Sequence, residues 1–192
     1  MTERPEQIRA REYLRDKGSL LPVSQIHERV RAAFAATETL LDGVTEGEAR
    51  RRAIPGEWTI QEVVDHLVET HRPSIDELRD LLAGRRPAGP PIPAGLHSRD
   101  PMSRPWPDVL QKLKAVHAGA LEVLAHAADG YVTDARAPLV MVINVRDADG
   151  RQTPLHWVEE LDWKAYAIVF RLHALDHLNQ IKKTLEAARG KA

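Results

Sequence analysis

Cysteine is absent from this 192-residue chain, and its absence restricts the chemistry that the protein can use. Disulfides, thiolate nucleophiles and cysteine-ligated zinc are all excluded. Any transition-metal site must therefore be built from histidine and carboxylate side chains. The chain contains nine histidines, so donors for such a site are present.

Long apolar runs and an excess of charge of either sign are also missing. No run approaches the length that spans a bilayer, and residues 1–9 lack the apolar core of a signal peptide. The 27 Lys and Arg residues nearly balance the 28 Asp and Glu residues, so neither nucleic acid nor a membrane is expected as a partner. We expect a cytoplasmic protein in which residues 1–192 form a single domain.

Apolar residues at helical spacing dominate most of the chain. Residues 1–20 are predicted to contain a short charged peripheral helix that ends with Gly18 as its C-cap. A first bundle helix is predicted over residues 22–41, where an apolar stripe recurs at helical spacing. Another such stripe predicts a third bundle helix over residues 106–128.

The second bundle helix has the clearest start signal. Thr59 and Glu62 form a Thr-x-x-Glu capping box, and Trp58 can pack onto Val63 as a hydrophobic staple. Apolar residues then continue at helical spacing, and the helix is expected to stop near Gly84.

A proline-rich stretch separates the second and third bundle helices. Residues 85–107 contain seven prolines. A disordered linker is the simplest interpretation. We prefer an ordered crossover, because extended chain at about 3.1 Å per residue can return along a helix of about 37 Å and let the two helices run parallel.

The hydrophobic period changes before the last helix. Residues 139–145 are a continuous apolar run and residues 147–150 are typical of a tight turn, which together predict a small β-hairpin insertion in an otherwise all-α protein. The apolar strand could pack on the bundle or pair across a homodimer. The Thr-Pro pair at the start of residues 153–188 predicts the last helix there, either as one helix or as two with a bend near Asp162.

Two histidines of the last helix and one of the second are the candidate site. His173 and His177 are four residues apart, so they lie only about 40° from each other on one helix face and can converge on one metal ion. His66 lies among apolar residues, where an unpartnered imidazole costs free energy. Three inward imidazoles could form a three-histidine site with open positions for water and substrate. The simpler alternative for His66 is a core histidine bonded to a backbone carbonyl.

Other polar residues near these three are expected to have lesser roles. His71 follows His66 by five residues, about 140° around the helix, and is expected to face solvent. Glu62 could orient His66, although capping already explains it, and Gln180 could either reach a bound ligand or only pack. The remaining histidines have no partner at ligand spacing and are expected on the surface or in loops: His27, His97, His117, His126 and His156.

Two segments resemble motifs of a known family. The segment GEWTIQEVVDHL at residues 56–67 resembles the second-helix motif of the DinB/YfiT-like metalloenzyme superfamily, and HALDHLNQI at residues 173–181 is similar to its fourth-helix His-x-x-x-His motif with the following glutamine. The long second connection and the β excursion before the last helix agree as well. The resemblance implies a four-helix bundle of up-down-down-up type, with His66, His173 and His177 as metal ligands.

The resemblance also implies a class of chemistry. Family members bind zinc or nickel, and some are transferases or isomerases that act with mycothiol or bacillithiol. We therefore expect a metal-dependent hydrolase or a thiol-dependent S-transferase, in which the ion activates water or a low-molecular-weight thiol for reaction with a small-molecule substrate. The alternative is a non-catalytic bundle that binds an apolar ligand or a partner, with metal absent or structural. The catalytic acid or base is not assigned.

Overall fold

The computed structural model describes residues 4–146, 149–150 and 152–190. Within them the chain forms six α-helices, one π-helical turn and a two-stranded antiparallel sheet. None of the described helices has the length and apolar character that crossing a membrane requires. The elements in chain order are α1 (Pro5–Leu14), the π-helical turn (Arg15–Ser19), α2 (Val23–Leu41), α3 (Glu46–Arg50), α4 (Ile60–Leu82), α5 (Trp106–Ala125), β1 (Ala137–Arg146), β2 (Gln152–Leu161) and α6 (Trp163–Ala188).

The four long helices α2, α4, α5 and α6 pack around two groups of buried apolar side chains. One group includes Phe34 and Phe170, and the other includes Trp106 and Ile181. The first half of α4 is enclosed, since every residue from 63 to 71 is buried. A helix with no solvent-facing side over two turns places all of its polar side chains inside the protein.

The predicted boundaries of α4 are confirmed. The backbone N–H of Glu62 donates to the Thr59 hydroxyl at 3.1 Å, and the Glu62 carboxylate accepts the Thr59 backbone N–H at 2.6 Å. This reciprocal pair is the capping box. At the other end Gly84 has φ +72°, a left-handed conformation that glycine adopts without a Cβ penalty and that ends the helix.

The N-terminal segment differs from the prediction at Gly18. The chain continues from α1 directly into the π-helical turn that contains Gly18, and this glycine is not among those with positive φ. A Cβ at position 18 would lie 2.7 Å from the Cα of Ala165. Gly18 therefore serves close packing of this turn on the start of α6 and not a left-handed helix cap.

A β-hairpin precedes the last helix, as predicted, and it is longer than the sequence indicated. β1 and β2 pair antiparallel over ten residues each, from Ala137 opposite Leu161 to Arg146 opposite Gln152. Of the predicted tight turn, Asp147 and Ala148 lie outside the described residues. The hairpin places the apolar run of β1 beside α6.

Residues 153–161 belong to β2, so the predicted start of the last helix at Thr153 is wrong, and that helix begins at Trp163. Half-buried and exposed side chains alternate along this segment, which is the period of a strand. Pro154 is compatible with it because both strands of a two-stranded sheet are edges. The last helix is capped by Asp162 instead, whose carboxylate accepts two backbone N–H groups of the first turn, both at 2.9 Å.

The proline-rich connection, residues 83–105, contains neither helix nor strand and is fastened to α4. The Gln61 amide donates to two carbonyls of this connection, each at 2.9 Å. The buried Asp65 carboxylate accepts the backbone N–H and the hydroxyl of Ser98, each at 2.8 Å. These bonds hold the connection against α4 at the level of His66.

Candidate metal centre

His66, His173 and His177 meet at one point although they come from two helices. One ring nitrogen of each lies within 4.8 Å of the other two. The Nε2 atom of His173 is 3.0 Å from Nε2 of His66 and 3.0 Å from Nε2 of His177. The structure thus brings together the three residues that the sequence indicated.

The outer ring nitrogens of two of these histidines face fixed acceptors. The backbone carbonyl of Leu96 lies 2.8 Å from Nδ1 of His66, and the side-chain oxygen of Gln180 lies 2.8 Å from Nδ1 of His177. A carbonyl oxygen can only accept, so each Nδ1 carries the proton. Each Nε2 therefore presents a lone pair to the common centre.

These tautomers leave the centre with too few protons for its own contacts. A neutral His173 can offer at most one N–H from Nε2, and it has two lone-pair neighbours at 3.0 Å. If that proton is on Nε2, one N–H is shared between two acceptors, and if it is on Nδ1, both contacts are between lone pairs, which repel. A cation between the three nitrogens would turn this repulsion into attraction, and three neutral imidazoles suit zinc or nickel.

The spacing of the three nitrogens also suits one ion. Two imidazole nitrogens bound to tetrahedral zinc at about 2.1 Å lie about 3.4 Å apart. The two observed Nε2 separations of 3.0 Å differ from that value by a few tenths of an ångström, which small ring rotations can supply. The residues present therefore fit a divalent metal ion.

His71 is buried beside His173, so the prediction that it faces solvent is wrong. Its side chain is 2% exposed, and its Nε2 lies 3.1 Å from Nδ1 of His173. The face of α4 that carries it packs against the rings of Phe34 and Phe170. His71 thus contacts a candidate ligand, and the sequence reasoning missed it.

His117 is buried as well, one ring beyond His71, and its predicted surface or loop position is wrong. It stacks on Phe34 with centroids 3.8 Å apart, and its Nδ1 lies 2.6 Å from a carboxylate oxygen of Glu38. Its spacing of four residues from Leu113 is the signal that could have placed it in the core. Within the described chain, Nε2 of His117 and Nδ1 of His71 have no hydrogen-bond partner.

Two further histidines, His97 and His156, lie at the edge of the site. His97 belongs to the connection between α4 and α5, as predicted for a loop histidine, and its ring meets that of Trp58 edge-on at 4.3 Å. Its centroid is 5.5 Å from that of His66. His156 is exposed on β2, and His126 is exposed at the end of α5, as predicted for surface residues.

Burial keeps the imidazoles of this region uncharged. Removal from water, reinforced by the nearby His177, lowers the pKa of His66 to about 4. Burial also lowers the pKa values of His71 and His173 well below the ordinary value, and it lowers those of His177 and His117. At neutral pH the rings are therefore in the form that binds a cation.

A cavity of about 750 Å³ lies over the three histidines. Its walls are formed by α4 and α6, by residues 139–144 of β1 and by residues 92–95 of the proline-rich connection, with the Trp58 ring at its base. The apolar hairpin strand and part of the connection therefore cover the site. The volume is in the range of cavities that hold small molecules.

The sequence and the fold were compared with known proteins. A model of the DinB superfamily matches residues 29–181, a range that contains all three histidines. Among solved structures, the fold is similar to that of YfiT from Bacillus subtilis, with a TM-score of 0.61 and 17% identity over 88% of this chain and 89% of that one. YfiT is described as "a probable metal-dependent hydrolase with an unusual four-helix bundle topology". Among curated protein sequences, none matches this chain.

Proposed function

We propose, on the premise that this chain belongs to the DinB superfamily, that it is a metal-dependent hydrolase of small molecules. His66, His173 and His177 would hold one divalent ion. The observation that carries the proposal is the convergence of three ring nitrogens in two contacts of 3.0 Å that share at most one proton. An ion held there supplies a Lewis acid and lowers the pKa of a water bound to it.

On the α4 side, the protein itself fixes the orientation of His66. The Leu96 carbonyl accepts the Nδ1–H of this ring, which keeps Nε2 free and directed at the centre. That carbonyl lies two residues before Ser98, which is tied to the buried Asp65 by two hydrogen bonds. The connection between α4 and α5 therefore contributes directly to the geometry of the metal site.

The other two rings are those of His173 and His177 on α6. His71 of α4 contacts the first, and Gln180 of α6 contacts the second. Gln180 accepts the Nδ1–H of His177 from the next turn of the same helix. With Nε2 of His173 directed at the ion, its Nδ1–H donates to Nε2 of His71. Each proposed ligand thus has a partner that fixes its tautomer, and His71 acts as a positioning residue.

The cavity wall supplies binding and the exclusion of bulk water. Val169 and Phe170 of α6 and Met141 of β1 line the space next to the three histidines. Burial of apolar substrate surface against such side chains stabilises the complex by about 25 cal/mol per Å². A drier site also strengthens every electrostatic interaction at the reacting group.

The proposal extends to the identity of the ion, the cellular location, the alternative reaction and the oligomeric state. We propose zinc or nickel as the ion, and a cytoplasmic protein of one domain. Transfer to a low-molecular-weight thiol is the alternative reaction, because an ion held there would lower the pKa of a thiol as it would that of water. A homodimer through the hairpin is supported by Val142 and Val158, which are 42% and 53% exposed.

We also propose the up-down-down-up helix order, with residues 83–105 as the crossover. Trp106 at the start of α5 belongs to the same buried group as Ile60 at the start of α4. Farther along both helices, a Cβ on Gly119 would lie 3.5 Å from the side chain of Ile75. These contacts support parallel α4 and α5, which only a long connection can join.

Metal content tests the proposal first. Metal-free protein is incubated with zinc or nickel, dialysed and analysed for bound metal, with His126→Ala as a control that removes an exposed histidine. About one equivalent is expected for a preformed site, and less than about 0.1 equivalent would overturn it.

Activity of the loaded protein then separates the reactions. Hydrolysis of esters or amides without added thiol supports the hydrolase. Turnover only in the presence of a thiol supports the S-transferase instead. Full metal loading with neither reaction across the panel would favour a non-catalytic binding protein.

A further inference from the structure

The cavity over the three histidines has an uneven distribution of charge. Among the described residues that line it, none is Lys or Arg. Asp176 is the one carboxylate in the lining, and it makes no hydrogen bond or ion pair within the described chain. The described lining therefore offers a distal anionic group no lysine or arginine as a counter-charge.

The same cavity is elongated along α6. Tyr166 and His173 both line it, and seven residues of helix separate them by about 10 Å along the axis. At the end away from the histidines, the Tyr166 hydroxyl donates to the Glu77 carboxylate. Between the two ends the wall is apolar, with Val169 and Phe170 on α6.

A ligand that reacts at the three histidines must lay its remaining part along this apolar wall. A carboxylate or phosphate on that part would lose hydration without gaining a cationic partner, which is costly. An uncharged tail would lose nothing comparable. Asp176 offers no compensation to a positively charged tail either, because it precedes His177 on α6 and lies at the histidine end of the cavity.

We propose that the cavity takes an elongated, mainly apolar substrate whose tail is uncharged, and that it discriminates against a tail with negative charge. The substrate class is an ester or amide of an apolar acid, with its carbonyl at the three histidines. The inference rests on the proposed function for the position of the reacting group. Discrimination applies to the tail and not to the reacting group, which faces the ion.

Three hydroxamic acids of equal chain length provide the probes, because the hydroxamate group chelates metal and fixes one end of each molecule. Their tails end in methyl, ammonium or carboxylate. Calorimetric titration into zinc-loaded protein measures each affinity without requiring turnover. We expect the methyl probe to bind about 10- to 100-fold more tightly than the carboxylate probe, from the usual cost of a buried unpaired charge. The ammonium probe is expected to be weakened as well, because the Asp176 carboxylate lies at the histidine end of the cavity.

A variant of the apolar wall tests its lack of positive charge. Val169→Lys places an amine on the wall between Tyr166 and His173 and is expected to tighten binding of the carboxylate probe about threefold or more, as for a partly exposed charge pair. It should not tighten binding of the methyl probe. Val132→Lys, the same change at a side chain that is 86% exposed and outside the cavity lining, is the matched control and should change neither affinity.

The outcomes separate this inference from the proposed function. Failure to take up zinc would overturn both. Zinc uptake followed by equal or tighter binding of the carboxylate probe would overturn the inference alone, as would the absence of binding by all three probes. A carboxylate-probe affinity in Val169→Lys that matches that of Val132→Lys would also overturn it.

Discussion

Two groups of histidines flank His173 and differ in what their ring nitrogens contact. The outer group is His66 and His177, and the inner group is His71 and His117. On one side, His66 and His177 direct lone pairs at a common centre beside a cavity. On the other side, His71 and His117 lie between aromatic rings, and each has one ring nitrogen without a hydrogen-bond partner in the described chain. Burial and residue type are alike in both groups.

The difference shows that burial alone does not make a histidine a ligand. In the outer group, a hydrogen bond to a carbonyl on the far side of the ring sets the tautomer that leaves Nε2 free. In the inner group, the contacts are aromatic packing, one bond between His71 and His173 and one between His117 and Glu38. His71 can therefore orient a ligand but has no shared centre to face. Four predictions test this division.

The largest effect is expected at His173, the residue that both groups share. His173→Ala should weaken zinc binding about 100- to 1,000-fold, because zinc sites of about 10–16 kcal/mol divide that free energy among three or four ligands. Competition with a chromophoric chelator measures the affinity. His126→Ala is the control, and unchanged affinity in His173→Ala would remove this residue from the ligand set.

The second prediction concerns the pH dependence of the metal-free protein. The pKa of His66 is about 4 in the folded protein against 6.5 ordinarily, so between these pH values the unfolded chain binds more protons and stability falls with acid. The full shift corresponds to about 3 kcal/mol, present above pH 6.5 and lost as the pH approaches 4. Urea unfolding across this range measures it.

A matched variant assigns that pH dependence to its source. His66→Asn removes one of the titrating rings and should reduce the loss of stability between pH 6.5 and 4 by about 3 kcal/mol, while the other buried histidines keep the rest. His126→Ala should leave the curve unchanged. A wild-type free energy of unfolding that stays constant over this range would contradict the burial of neutral histidine as a determinant of stability.

The third prediction compares the two members of the inner group. His71→Phe should weaken zinc binding about 10- to 100-fold, since it removes the acceptor that orients His173. His71→Gln, which retains a side-chain carbonyl, should recover part of the loss. His117→Phe keeps the ring stack and touches no proposed ligand, so its zinc affinity should stay close to that of the wild type.

Equal effects of His71→Phe and His117→Phe on zinc affinity would break the division between positioning and packing. Circular dichroism and unfolding curves of both variants show whether a loss of affinity follows from a loss of structure. A variant that keeps its stability and loses affinity acts through the orientation of His173.

The smallest effect is expected at the loop that supports the outer group. Ser98→Ala removes one of the two hydrogen bonds to Asp65 and should lower the free energy of unfolding by about 1 kcal/mol. Zinc affinity should fall less than in His71→Phe, because the backbone bond from residue 98 remains. Ser103→Ala, on the exposed part of the same connection, is the control. A larger loss of affinity than in His71→Phe would reverse the order proposed here.

The outer group could be predicted from the sequence, whereas in the inner group only the burial of His117 had a local signal, its spacing from Leu113. Helical spacing brings His173 and His177 together whatever surrounds them, and the capping box fixes the helix that carries His66. The expectation for His71 assumed that a helix has one buried side. α4 is enclosed on every side over this stretch, and that depends on how its neighbours pack.

The hairpin shows a second limit of local signals. Thr153 and Pro154 suit the start of a helix as well as an edge strand. Pairing with β1 decides between them, and this is a contact between segments that the local pattern does not contain. Likewise, the carbonyl of Leu96 faces His66 because of the path of an irregular loop, which no period in the sequence encodes.

The connection between α4 and α5 has a consequence for how such proteins diverge. Residues 92–95 line the cavity, and the next residue, Leu96, holds His66. Loops accept insertions and substitutions more readily than helices do. If the proposed function holds, a change in this loop would alter substrate preference and metal retention together, while the helices would keep the three ring nitrogens in place. Exchange of this one segment between relatives would transfer both properties at once.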